Sequence, residues 1–268
     1  MKPAWAWAWA WAWIALAALA SVPAARAASV EIHPAGTAVP ENLLRLELRF
    51  DRPQPLPFDV ERLKLLDGDG LEIRHALLDM ALPDAEGRRI TVLLDPGRVK
   101  TGVGPNLEAG RALTQGSTVS LSVAAAKTGA EADAQTDESP VVKTWHVTAA
   151  VSHPLQPALW QLSSPRRGTR DELSVDLRTP ISSVGERLIA VLDGRGRRVD
   201  GVATLADGDA TWRFKPSRPW ATGRHRLVTH PELEDPAGNR SCAAFEATNL
   251  SASRCDGATL DFTPKDAR

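Results

Sequence analysis

Leu44, Leu46, Leu48 and Phe50 alternate with Arg45, Glu47 and Arg49. A period of two sends four apolar side chains to one face of a strand and three charges to the other. That is the pattern of a sheet with one face packed and one face wet. Arg88–Leu94 and Ser117–Val123 repeat it, and Val30–Ile32, Val60–Leu66, Leu71–Leu78 and Val141–Ala149 extend the series. About seven short strands within roughly 120 residues predict an antiparallel sandwich.

The stretch Val60–Leu78 carries two such runs on either side of Asp67-Gly68-Asp69-Gly70, which predicts a hairpin because Gly accepts a positive φ. The same design returns at Arg187–Leu205 around Asp193-Gly194-Arg195-Gly196. Other landmarks recur in the same order. Pro53 corresponds to Pro180 at an offset of 127, Asp67 to Asp193 at 126, Leu94–Pro96 to Phe214–Pro216 at 120, and Gly116 to Gly223 at 107. Order is kept while the offset shrinks, so the chain reads as a duplicated sandwich with loops trimmed in the second copy. Alternation at Glu172–Arg178 and a strand at His225–His230 support a second unit. The expected division is a targeting segment over 1–27, a first domain over 28–149, a proline-bearing linker over 150–158 and a second domain with its tail over 159–268.

Pro34 and Val39-Pro40-Glu41-Asn42, followed by the alternating strand ending in Phe50-Asp51-Arg52-Pro53, resemble the opening of bacterial Ig-like domains of the surface-layer and secreted type. Trp220 with Gly223, then Leu227–Asn239 ending in Asp235-Pro236-Ala237-Gly238-Asn239, resembles that family's closing turn and final strand. The resemblance implies an all-β fold of two tandem immunoglobulin-like antiparallel β-sandwiches. It implies an envelope setting, and leaves the task open because fold does not imply function.

The N-terminus changes the setting. Lys2 precedes an unbroken apolar run from Ala4 to Ala20, and Ala25-Arg26-Ala27 gives the small-x-small pattern of a cleavage site. An uncleaved anchor is the alternative, since such a run is just long enough to span a bilayer. Cleavage predicts a periplasmic or secreted protein with no later membrane span. In that oxidising setting Cys242 and Cys255, the only cysteines, are expected to pair and staple the terminal segment to the second domain. Net charge is −1, and becomes −3 once Lys2 and Arg26 leave with the first 27 residues. This balance gives no electrostatic reason to expect nucleic acid as a partner.

Candidate chemistry is sparse. No Gly-x-Ser-x-Gly, Ser-x-x-Lys or Cys/His arrangement is present, so no catalytic residue is assigned and no enzymatic activity is expected. His225 and His230 are five apart and point to opposite faces of a strand; His33 lies too far from the mature N-terminus for an amino-terminal copper clamp. The Asp67–Gly70 and Asp235–Asn239 stretches lack the acidic run of a calcium loop. No metal and no cofactor is therefore expected. Contact candidates fall in long loops. Asp95–Gly116 is expected to hold a helical turn near Leu107–Ala112 and supplies Arg98 and Lys100; Ala124–Pro140 is small and acidic. Trp220, before a turn, is either an exposed anchor or a plug in the sandwich end. Arg166-Arg167 and Arg195–Arg198 read as solvated turns. The expected role is a non-catalytic interaction or scaffold module with an envelope protein or glycan as partner, the alternative being a carbohydrate- or peptide-binding module or accessory domains of a hydrolase system.

Overall fold

The computed structural model describes residues 29–100, 107–108, 110–126, 139–245 and 256–266. The targeting segment and most of Ala124–Pro140 lie outside them.

The first eight strands are β1 (Val30–His33), β2 (Ala38–Pro40), β3 (Arg45–Phe50), β4 (Leu63–Leu66), β5 (Leu77–Pro83), β6 (Arg89–Leu94), β7 (Thr118–Val123) and β8 (Val141–Thr148). They form two sheets of order β1-β3-β6-β5 and β2-β8-β7-β4, antiparallel except where β2 runs parallel to β8. The inward face of β3, with Leu46, Leu48 and Phe50, packs against Leu63, Leu65, Leu121 and Trp145 of the facing sheet. The remaining strands are β9 (Gln161–Ser163), β10 (Leu173–Asp176), β11 (Ile189–Leu192), β12 (Gly201–Ala206), β13 (Thr211–Pro216), β14 (His225–Thr229) and β15 (Thr259–Phe262). Their sheets run β12-β13-β10-β9 and β11-β14-β15 around a second core of Leu173, Val175, Ile189, Val191, Trp212 and Leu227. Four strands against three or four, with this order, is the arrangement of an immunoglobulin-like sandwich. Each core is built from the inward half of an alternating pattern.

Both expected hairpins are corrected in the same way. Asp67 Oδ1 accepts from the backbone N–H groups of Asp69 and Leu71, and Asp193 Oδ1 accepts from those of Arg195 and Arg197. Each turn is therefore built by the side chain of its first Asp, with Gly70 and Gly196 at positive φ closing it. Pairing after the turn lasts for a single bridge, Leu66 with Glu72 and Leu192 with Arg198. The chain then crosses to the other sheet, where β5 pairs with β6 and β12 with β13. Val60–Arg62 is a 3-10 turn rather than the start of a strand, and residues 71–76 carry no regular strand before β5. The helical turn of the long connection lies at Pro96–Val99, capped by Asp95; of the region expected to be helical, Leu107 and Glu108 are so.

Candidate functional site: the joint between the sandwiches

The polar face of β3 is not wet. Glu47 is 2% exposed, and what covers it is the second sandwich. The connections β10–β11, β12–β13 and β14–β15 lie together at one end of that sandwich, and side chains from all three reach β1 and β3. Ser182 Oγ donates to Glu47 Oε1 and Ser183 Oγ to Glu47 Oε2, so both carboxylate oxygens are held by the β10–β11 connection. Arg49, two residues on, donates from its guanidinium to Glu186 at 3.1 Å and to the Ser183 carbonyl at 2.9 Å. Arg45, two residues back, pairs with Glu234 of the β14–β15 connection at 2.6 Å. The Arg-x-Glu-x-Arg spacing of β3 places all three charges on one face, and each meets a group from the other domain.

A second cluster lies at the end of β1. Asp209, 2% exposed in the β12–β13 turn, accepts from His33 Nδ1 at 3.0 Å and from the Ala35 N–H at 2.6 Å. A carboxylate only accepts, so the His33 proton sits on Nδ1. Pro34 and Ala35 are held in turn, since Trp145 Nε1 donates to the Pro34 carbonyl and Lys143 to that of Ala35. Burial pushes the Lys143 ammonium down, opposed by Asp209 and Glu31. Gly208, at φ +70°, faces Gly36 so closely that a Cβ on it would stand 2.9 Å from the Gly36 Cα. The domains meet backbone to backbone there, and two glycines permit it.

Val151 is tied to both sides. Asn42 receives the Val151 N–H on its carbonyl oxygen and donates its amide to the Val151 carbonyl, which also accepts from Asn239. Asp235 holds the turn that positions Asn239 by accepting from the N–H groups of Ala237 and Asn239. The Leu44 N–H donates to the Pro236 carbonyl. Burial raises the carboxyls of Glu234 and Asp235; Arg45 and Arg240 counter it at Glu234, and Asn239 and Ala237 counter it at Asp235. Burial likewise lowers the Arg89 guanidinium, with Arg49 and Arg187 adding to the effect and Glu47 and Glu186 opposing it. Desolvated charges compensated in this way make a polar contact rather than a greasy one.

The residues singled out in sequence sit elsewhere. Trp220 is 3% exposed, with Nε1 donating to the Asp171 carbonyl and its ring packed edge-on against His225 and Phe262, so it plugs the far end of the second sandwich. Arg98 is also buried, spending its guanidinium on the Gly110 and Arg74 carbonyls to hold the long connection closed. Lys100 is half-buried with its ammonium 4.7 Å from the ring centre of Phe245, a contact that adds to the joint. None of the three presents a free side chain for a partner. Cys242 is not a free thiol; Cys255 lies outside the described residues.

His33, Glu47, Ser182, Ser183 and Asp209 were not legible as a site. Their only signal was an acid between two arginines on one strand face, which is equally the pattern of a solvated surface. Among the described residues no group of three His, Cys, Asp or Glu side chains converges as metal ligands, and no helix is long and apolar enough to cross a membrane.

No family model matches this chain, and no curated protein does. Solved structures give weak likenesses. Tandem Ig repeats of Dlar match at 14% identity over 79% of this chain and 92% of that one, with a TM-score of 0.24. Domains 5–6 of the S-layer protein SbsC match at 10% identity over 91% and 99%, with a TM-score of 0.27. The Yersinia pseudotuberculosis adhesin InvE matches at 12% identity over 88% and 58%, with a TM-score of 0.22. The strand order of the two sandwiches, rather than these likenesses, carries the description of this chain as a tandem of immunoglobulin-like folds.

Proposed function

We propose that this is an exported, non-catalytic interaction or scaffold module of the cell envelope, whose work is to hold two sandwiches in one fixed arrangement. The observation that carries this reading is Glu47, a carboxylate desolvated between domains with both oxygens taken by serine hydroxyls. A flexible spacer has no use for such a contact. A buried charge left without partners is costly, so an opened joint is disfavoured. The loop end that presents binding loops in many sandwiches is here spent on the neighbouring domain, which leaves contact with partners to other surfaces.

Recognition of sugar or peptide by surface aromatics has less support. Trp145, Trp160, Trp212 and Trp220 are all buried. The apolar run and small-x-small site argue for export with cleavage after Ala27, and export argues for a Cys242–Cys255 bond as a staple on the second domain.

The test is to express the full chain, fractionate the cells and sequence the N-terminus of the exported form. The purified protein is then used as bait for envelope components and assayed against envelope glycans. Export with Ala28 first, stoichiometric capture of an envelope component and no turnover are expected. A cytoplasmic uncleaved chain, or hydrolysis of the glycan, would overturn the reading.

A further inference from the structure

The opposite end of the second sandwich, distant from the joint, concentrates positive charge in a chain whose net charge is −1. Three connections meet there. Residues 164–172 and 193–200 hold three arginines each and residues 217–224 hold two, against the acids Asp171, Glu172, Asp193 and Asp200. All eight arginines are exposed. Trp220 is the keystone that brings the connections together: its N–H donates to the Thr169 carbonyl, its carbonyl accepts from the Gly168 N–H, and its indole donates to the Asp171 carbonyl. The Ser217 N–H donates to the Asp200 carbonyl and ties in the third connection.

Some of these charges are internally satisfied. Arg166 is held by Asp171 at 2.7 Å and Arg197 by Asp193 at 2.9 Å. Arg198 and Arg218 make no ion pair with a carboxylate among the described residues, and both line a cavity of about 290 Å³ floored by Trp220 and His225. Asp193 also lines it, but is engaged by two backbone N–H groups and by Arg197; Asp200 is the one other acid on the wall. Guanidinium groups present planar paired donors that match carboxylate, phosphate and sulfate oxygens.

We propose that this arginine-rimmed cavity binds the anionic groups of an acidic glycan. The proposal rests on the interaction-module reading for its setting and supplies the partner class that reading leaves open. Three features choose a glycan over a membrane surface or a nucleic acid. No large hydrophobic side chain among the described residues of these connections is exposed, so nothing is offered to enter a bilayer. Among the described residues no exposed aromatic ring is offered for stacking bases of a single-stranded nucleic acid. The site is concave and sized for one sugar unit with its charged substituent, rather than flat like a site for a membrane surface. Recognition is then led by charge and falls steeply with salt.

Isothermal titration of the exported protein at low salt uses polygalacturonate, heparin, neutral dextran, anionic phosphatidylglycerol vesicles and single-stranded DNA as probes. Binding to at least one acidic glycan, absent for dextran and lost above physiological salt, is expected. Arg198→Glu with Arg218→Glu should weaken it about tenfold or more at low salt, with the melting temperature kept because both side chains are exposed. Arg52→Glu with Arg88→Glu, on the first sandwich, should leave it unchanged. No binding to either acidic glycan overturns the proposal, as does equal or tighter binding to vesicles or DNA. Wild-type affinity in the Arg198/Arg218 variant overturns the placement. These failures leave the exported-module reading standing, whereas a cytoplasmic, uncleaved chain would remove that reading whatever the titration gave.

Discussion

Glu47→Ala removes one carboxylate from the joint while leaving the inward face of β3 untouched. Each hydrogen bond to a charged group contributes about 1.5–3 kcal/mol, and Glu47 accepts two. Removal also returns the desolvation cost of the carboxylate, which lowers the net loss. It strands the hydroxyls of Ser182 and Ser183, both buried, while Arg45 and Arg49 keep Glu234 and Glu186 as partners. Leaving a buried donor or acceptor unsatisfied costs about 1–3 kcal/mol, and a net loss in that range is expected here. Urea denaturation at neutral pH measures it, with Ser183→Ala and the double variant closing a cycle. The coupling expected between contacting groups is about 0.5–3 kcal/mol. The wild-type protein should unfold in one transition, and Glu47→Ala should broaden or split it, because the domains keep separate cores and lose one of the contacts that couple them. A loss within about 0.5 kcal/mol, the range of ordinary surface substitutions, would refute the burial argument.

Three further outcomes follow from the same structure. Gly208→Ala should destabilise by more than about 1 kcal/mol, since its positive φ and its approach to Gly36 both exclude a Cβ; a neutral melting shift would contradict that contact. Glu234 has a native carboxyl raised by burial, so the stability it contributes is complete below its unfolded value and lost as pH rises through the raised native one. Stability of the wild type relative to Glu234→Gln should therefore fall with rising pH across that window, read by denaturation at stepped pH; a flat difference would contradict it. Cys242→Ser should cost about 3 kcal/mol if Cys255 is its partner, and mass spectrometry of the non-reduced digest should find the two peptides joined.

The strands were legible wherever burial depends on a single sheet. Leu46, Leu48 and Phe50 alternate because one side of β3 faces its own core, and they are buried as that pattern predicts; Leu44, just before β3, is buried beside Gly238 instead. The turns at Asp67 and Asp193 were legible because an Asp side chain and a following Gly act within four residues. Beyond that range local pattern loses its hold. Nothing in Leu71–Leu78 says which sheet the chain will join after the turn, since that is set by whichever neighbour, β4 or β6, offers a free edge on the right side. The fate of Glu47 was hidden for the same reason. Alternation reports that a face is polar, and its covering comes from Ser182, 135 residues away. Trp220 was open to two readings because its surroundings, Thr169 and Asp171 on one side and Phe262 on the other, come from two parts of the chain distant in sequence.

The joint, as proposed, makes one rigid unit of the two sandwiches. Residual dipolar couplings of the exported protein in a weakly aligning medium test it most directly, because each domain reports its own alignment. One shared tensor for both sandwiches is expected, and diverging tensors for Glu47→Ala. Two different tensors in the wild-type protein would contradict it.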